Sequence, residues 1–428
     1  MDYAIGVILF ALAILISVAF HEAGHMGTAR MFGMRVTRFF IGFGPTLFSF
    51  HKGETEYGVK PIPLGAFVKI TGMTAQEEEE EEVPPEDQHR VFWRKPVWQR
   101  TIVLCAGSVT HFILGFLILW IMVSFVAAPN PAYAKDMETT SKVDVSKCLM
   151  TKATQTKCED GDPKSPAVAA GLESGDEIIA VSGTRIAGRE CKVPGSGDQV
   201  TPSTWACAVN AIRKLPAGDK ADFTISRDGK TKHVPVTPKS VTIDLGNGKS
   251  QKVTQIGITQ QASTKPASIT YGPVAGIGAA GDLTGQMAVQ MGEAVTRIPQ
   301  KVPALWNSIF GAERDQDTPV SVVGASRLGG EMVEHNLWPM FFYLLATLNY
   351  FIGVFNLFPL LPMDGGHIAI AWYEKVRSWW AAKRNKPDPG RVDYMKLMPL
   401  TYTVIIVMLG FTLLTVTADI VNPITLFK

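Results

Sequence analysis

The chain has 428 residues, of which 46% are hydrophobic and 19% charged, with a net charge of +2. A positive mean hydropathy of +0.13 argues against a wholly soluble enzyme and for a membrane protein carrying a soluble insert. A charge balance this close to zero offers nucleic acid no basic face, so no such partner is expected.

The first predicted element is an apolar span from Tyr3 to about Phe20, set within residues 1–32. Its length is near the roughly 20 residues that cross a hydrocarbon core about 30 Å thick. No basic n-region precedes it and no small-residue cleavage site follows, so it reads as a retained helix. It runs into His21-Glu22-Ala23-Gly24-His25, an H-E-x-x-H motif. On a helix, positions i and i+4 share one face, so both imidazoles can grip one ion. Glu22 stands beside them, near enough to take a proton from a water polarised by that ion. Ionisable groups at the end of an apolar span are costly unless they face a metal or a polar cavity.

Residues 33–96 read as a loop with two parts. Within it, residues 55–73 mix β-branched and aromatic residues with Gly and Pro, which predicts a hairpin at the membrane surface. The unbroken run Glu77 to Glu82 predicts a solvated acidic linker. A second span occupies residues 97–128 and includes Cys105. Residues 140–262 predict a small soluble domain with strands over ADFTISR, KHVPVTP and TQIGI, interrupted by a Gly- and Pro-containing insertion at 188–204. Its Ser165-Pro166-Ala167 start, followed by AVAAGLESGDEIIAVSGTRI, resembles a PDZ domain of the bacterial protease type. Cys148, Cys158, Cys191 and Cys207 all fall in this region, and an even number predicts two disulfides in an oxidising compartment. Three connectivities are open; near-neighbour pairing, 148 with 158 and 191 with 207, is the one expected.

Residues 263–336 are rich in Gly and Ala and predict amphipathic helices. A third, overlong span covers 337–374 and is interrupted by Pro359, Pro362, Gly365 and Gly366, which cannot continue a regular helix. Irregular backbone at membrane depth is tolerated only where protein or water satisfies it. Asp364 at this break is what a third zinc ligand requires, with a fourth position left for water. A basic loop at 375–396 and a fourth span at 397–421 complete the chain.

Orientation follows from Lys and Arg. Lys375, Arg377, Lys383, Arg384, Lys386 and Arg391 mark one loop as cytoplasmic; Arg30, Arg35, Arg38, Lys52, Lys60, Lys69, Arg90, Arg94, Lys95 and Arg100 mark the other. Both termini and residues 129–336 are therefore expected outside. Spans one and three then run in the same direction, which brings His21, His25 and Asp364 into one leaflet.

These paired signatures, H-E-x-x-H and the Asn356-x-x-Pro359-x-x-Pro362-x-Asp364-Gly365 stretch, resemble the site-2 protease family of intramembrane metalloproteases. The resemblance covers essentially the whole chain and looks closest to bacterial regulators of anti-sigma factor cleavage, particularly their actinobacterial branch. It implies a membrane α-helical fold of four transmembrane helices, with a cytoplasmic-side β-hairpin and an extracytoplasmic α/β PDZ domain, in the cytoplasmic membrane. It implies Zn2+ held by His21, His25 and Asp364, Glu22 as general base, and Asn356 holding substrate backbone or the oxyanion. Asn349, seven residues earlier on the same helical side, has either that role or an interhelical hydrogen bond. The expected substrates are transmembrane proteins such as anti-sigma factors already cut by another protease. An unwound substrate would be held by strand addition to the hairpin, at Gly65 and Phe67. The chain departs from the family's A-G-P-x-x-N-F with Ala106-Gly107-Ser108-Val109-Thr110-His111-Phe112, and has Gly65-Ala66 for the hairpin's usual Gly-Gly. His111 is expected to be a satisfied intramembrane histidine near the zinc, and His367 structural. Membrane CAAX- and heat-shock-type metalloproteases share H-E-x-x-H, but typically take a glutamate as third ligand and lack the Pro-Pro-Asp-Gly segment. A metal-storing scaffold would have no need of Glu22.

Overall fold

A computed structural model describes residues 1–73, 83–152, 155–186, 203–246, 249–315 and 317–426. The acidic run and most of the 188–204 insertion, with Cys191, lie outside these. The chain forms two units, Met1–Ala128 with Thr270–Lys428, and Pro129–Ile269.

In the first unit, helix α1 spans Asp2–Met31 and buries Gly6, Phe10, Ser17, His21, His25 and Ala29. Those positions recur at helical spacing and form one stripe. Ile8, Leu12, Ile16 and Phe20, on other faces, are exposed although apolar. An uninterrupted exposed apolar face suits lipid and not water. Among the described residues, four helices are long and apolar enough to cross a membrane: Asp2–Met31, Val97–Val126, Trp338–Asn356 and Met398–Val421.

After α1 come strands β1 (Val36–Phe43), β2 (Phe48–Lys52), β3 (Thr55–Val59) and β4 (Ile62–Ile70). They form one sheet in the order β2-β3-β1-β4, with β1 parallel to β3 and antiparallel to β4. The expected 55–73 hairpin is therefore corrected: β3 and β4 do not pair with each other but flank β1. Phe40 explains why. It pairs with Gly58 on one side, where a Cβ would lie 2.3 Å from its ring, and with Phe67 on the other, stacked at 5.6 Å. A glycine facing an aromatic ring and an aromatic cross-strand pair both favour this register.

Helix α2 (Val97–Ile121) is prolonged by a π-helical turn over Met122–Val126. The second unit then begins with α3 (Pro131–Thr139) and β5 (Val143–Val145). It continues with α4 (Pro166–Ala170), β6 (Glu177–Val181), β7 (Thr184–Arg185) and α5 (Thr204–Arg213). Strands β8 (Ala221–Arg227), β9 (Lys230–Val236), β10 (Lys239–Gly246), β11 (Lys249–Gln255) and β12 (Ile258–Gln260) follow. Four of these form a sheet in the order β9-β8-β6-β7 over a core that includes Ile178, Phe223, Ile225 and Val236. Ser165 caps α4 by accepting the Val168 N–H, and Gly171 ends it at φ 80°, a left-handed conformation open to glycine. Asp176, 1% exposed, receives two hydrogen bonds from Arg227 at 2.6 and 2.7 Å. A groove of about 270 Å³ runs between α5 and residues 253–259, lined by Trp205, Val209, Ile212, Ile256 and Ile258. Cys148 and Cys158 are joined, and Cys207 is also disulfide-bonded.

Back in the first unit, α6 (Gly272–Ile309) is one long helix that accommodates Pro299 and Pro303, and α7 (Val322–Glu334) follows it. Helix α7 packs closely on α1: a Cβ on Gly6 would meet Val333 at 2.8 Å and the Gly330 Cα at 2.9 Å. Helix α8 (Trp338–Asn356) stops at an irregular segment, 357–363, and α9 (Asp364–Lys383) resumes. Helix α9 thus reaches well into the region expected as a basic loop. Helix α10 (Met398–Val421) is last.

Candidate metal centre

Three donors meet where α1, α2 and the start of α9 touch. His21 and His25 lie one turn apart on α1 and are 6% and 2% exposed. His25 Nδ1 is 2.7 Å from the Val103 carbonyl of α2. A carbonyl only accepts, so Nδ1 carries the proton and Nε2 presents a lone pair. The His21 and His25 Nε2 atoms stand 3.1 Å apart, and Asp364 Oδ2 is 3.3 and 3.4 Å from them. Three corners of a tetrahedron drawn about 2.0–2.1 Å from a zinc ion are separated by about 3.3–3.4 Å. The triangle matches that geometry. Electron-rich atoms this close repel unless a cation lies between them, and among the described residues Asp364 Oδ2 has no hydrogen-bond donor.

Local sequence explains each placement. Asp364 is the first residue of α9, where the helix dipole favours a carboxylate. Gly365 and Gly366 allow the 357–363 segment to fold back on that first turn: a Cβ on Gly365 would lie 2.2 Å from the Leu357 oxygen, and one on Gly366 2.6 Å from the Leu360 carbonyl carbon. On α2, a Cβ at Gly107 would lie 2.4 Å from His21 Cε1 and 2.5 Å from His25 Nε2. Gly24 lets the two helices approach in the same way, with Ala106 O only 2.8 Å from its missing Cβ.

Glu22 adjoins the triangle, and its Oε2 accepts the Val68 N–H of β4 at 3.0 Å. Gly65 and Phe67 lie on the same strand, which pairs with β1 on one side only. Gly65 has φ 150°, and Phe67 stacks on Phe40 and Phe43. Asn356 is the last residue of α8, half-buried. Asn349 is buried elsewhere on α8, with both amide atoms engaged: Nδ2 donates to the Leu345 oxygen at 2.9 Å, and Oδ1 is 3.0 Å from His111 Nδ1. His111 packs beside the triangle and outside its donor set, with one ring nitrogen engaged by Asn349. Its ring centroid is 5.1 Å from that of His21, and its buried Nε2 has no partner among the described residues. His367 stacks near Tyr394 at 6.1 Å.

Two contributors escape a reading of motifs alone. Gly107 is one, though the small-residue pair Ala106-Gly107 in an apolar span is the kind of signal that marks close helix contact. The other is the Arg100–Glu374 ion pair at 3.2 Å, with side chains 13% and 12% exposed, which ties the first turn of α2 to α9. The Trp372 indole N–H adds a bond to Thr101 at 3.0 Å.

Bilayer-length helices together with a largely buried His–His–Asp triangle define a membrane metalloprotease, and the chain belongs to peptidase family M50, whose model matches residues 9–397. It is a zinc metalloprotease of the site-2 protease type. It is 40% identical to the zinc metalloprotease Rip1 of Mycolicibacterium smegmatis over 434 residues, covering 100% of both chains. It is 38% identical to Rip1 of Mycobacterium tuberculosis over 430 residues, again 100% of each. Metalloprotease MmpA of Caulobacter vibrioides is 26% identical over 392 residues, 86% of each chain.

Proposed function

We propose that this chain hydrolyses peptide bonds within the transmembrane segments of single-span proteins, anti-sigma factors among them, after another protease has trimmed those substrates. His21, His25 and Asp364 hold the zinc, and Glu22 is the general base. The observation that carries this reading is the placement of the donor triangle on one flank of α1, a helix whose other faces are apolar and exposed. A substrate reaching such a site arrives from lipid. A cavity of about 750 Å³ beside α2, α6 and α8, walled by Phe112, Phe116, Met291, Tyr350 and Val354, offers apolar surface for it.

Zinc, when bound, supplies a Lewis acid that makes water nucleophilic at neutral pH. The protein's own groups do the rest. A helical substrate hides its carbonyls in hydrogen bonds, so it must unwind first. Strand β4 is an edge strand, and addition of the unwound segment beside Gly65 and Phe67 would replace the lost backbone bonds. Glu22, steadied by the Val68 amide, takes one proton from the attacking water and returns it to the departing nitrogen. Asn356, at the end of α8, holds the substrate backbone. The unit over 129–269 acts as a PDZ domain, with the groove along α5 as the place for a peptide end. Arginine and lysine bias puts it, with both termini, outside the cytoplasm.

Replacing Glu22 with Gln tests the assignment. Zinc content should stay at the wild-type level while cleavage of a single-span reporter falls by about 10²–10⁴-fold. Cleavage at wild-type rate by that variant would remove Glu22 from the mechanism.

A further inference from the structure

His111 stands outside the donor triangle, yet the geometry points to it as part of the reaction. Asn349 sets the tautomer of the ring. Its Nδ2 donates to the Leu345 oxygen, so its Oδ1 is the atom facing His111 Nδ1. An amide oxygen only accepts; His111 Nδ1 therefore carries the ring proton and Nε2 is a bare lone pair. That nitrogen is in a residue 1% exposed, and no donor faces it among the described residues. Leaving a buried acceptor unmatched is costly, which favours a partner that arrives with the reaction.

Its position names the partner. His111 lies one turn beyond Gly107 on α2, and helical side chains lean toward the N-terminus, over the preceding turn. Gly107 has no side chain to occupy that ground and abuts the His21 and His25 Nε2 atoms. The imidazole of His111 therefore leans over the glycine toward the metal centre, 5.1 Å from the His21 ring between centroids. It is not grouped with the three donors whose ligand atoms all lie within 4.8 Å of one another. His111 is thus outside the donor set, with its ring beside that of His21.

We propose that His111 Nε2 accepts a hydrogen bond from the attacking water, whose other proton goes to Glu22, so that Asn349, His111 and Glu22 together aim the oxygen lone pair at the substrate carbonyl. Nothing is transferred to His111: the water keeps that hydrogen, loses one proton to Glu22 and forms its bond to the carbonyl carbon. Asn349 is a positioning residue that fixes the tautomer. This inference rests on the zinc-protease reading of the same site.

The test uses the full-length protein in detergent or liposomes with a fluorescence-quenched single-span peptide. His111→Phe keeps the ring and removes the acceptor. We expect kcat to fall about 10- to 100-fold, the range for loss of an outer partner of a metal site, with KM unchanged. By chelator competition, zinc affinity should stay within about threefold, and the cobalt-substituted protein should keep its band intensity while the band position shifts. Should His111→Phe fail to accumulate, the Asn349 pair gives the same information: Asn349→Asp, which still accepts from Nδ1, should retain most of the activity that Asn349→Leu loses. A wild-type kcat in His111→Phe, a tenfold or larger loss of zinc affinity, or a rise in KM alone would each overturn the proposal. Failure of the wild type itself to cut in a zinc-dependent way would instead defeat the underlying protease reading.

Discussion

Gly107→Ala isolates the role of close helix packing at the metal centre. The added Cβ would stand 2.4 Å from His21 Cε1, 2.5 Å from His25 Nε2 and 2.6 Å from His21 Nε2. Ordinary van der Waals contact begins at 3.4 Å, so the imidazoles or α2 must give way by about 1 Å. His25 cannot easily yield, because its Nδ1 is held by the Val103 carbonyl on α2 itself. Metal–ligand distances tolerate only about 0.2 Å, and a misplacement of about 1 Å at a reacting centre costs on the order of 10²-fold. Zinc affinity by chelator competition should fall by about 100-fold or more, with cleavage falling alongside it. Gly27→Ala is the control, since nothing lies within 4 Å of its Cβ and a helical Gly-to-Ala change is worth roughly 0.5–1 kcal/mol of stability. Stoichiometric, tight zinc in Gly107→Ala would refute the claim that this glycine makes room for the donors.

Two further outcomes concern the 129–269 unit. Burial would push the Asp176 carboxyl up, but the Arg227 guanidinium and the Glu173 N–H outweigh it and hold the group below the usual aspartate range. A depressed folded pKa stabilises above the unfolded value, about 3.9, and that gain disappears as pH falls through the lower folded value. Arg227→Ala should therefore raise hydrogen exchange in 173–181 at pH 6 and have little effect near pH 2; an equal effect at both would contradict the assignment. Reducing the Cys148–Cys158 bond, which closes a separation of 10 residues, should cost roughly 2–3 kcal/mol on the chain-entropy account. A Cys148→Ser/Cys158→Ser protein with unchanged protection around residues 146–165 would show the bond to be dispensable.

Much of the candidate metal centre is legible in the sequence because its cues are local. H-E-x-x-H needs only helical spacing to put two imidazoles together, and prolines with paired glycines mark where α8 must stop and α9 begin. The strands ADFTISR and KHVPVTP likewise carry their own alternation and appear as the paired β8 and β9. What escaped is what depends on remote partners. Residues 55–73 look like a hairpin in isolation, and only the pairing of Phe40 with both Gly58 and Phe67 inserts β1 between the two strands. The β10–β11 hairpin is only half signalled: KSVTIDLG alternates apolar and polar residues, but its partner KSQKVTQ carries a single apolar residue, Val253. The amphipathic helices expected over 263–336 appear as α6 and α7, and Pro299 and Pro303 fall inside α6, since local breakers weigh less once a helix packs along its length. The Asn349 amide that engages His111 lies 238 residues away, so neither residue signals the pairing in sequence.

The irregular segment 357–363 sets a metric constraint on the molecule. Two donors ride on α1, while the third stands on the first turn of a helix that starts directly after that short connector. Each residue of an α-helix advances about 100° around its axis, so one residue gained or lost there would swing the carboxylate of Asp364 away from the imidazoles. The spans can lengthen, tilt or drift in composition with bilayer thickness; the count of residues between Asn356 and Asp364 has no such latitude.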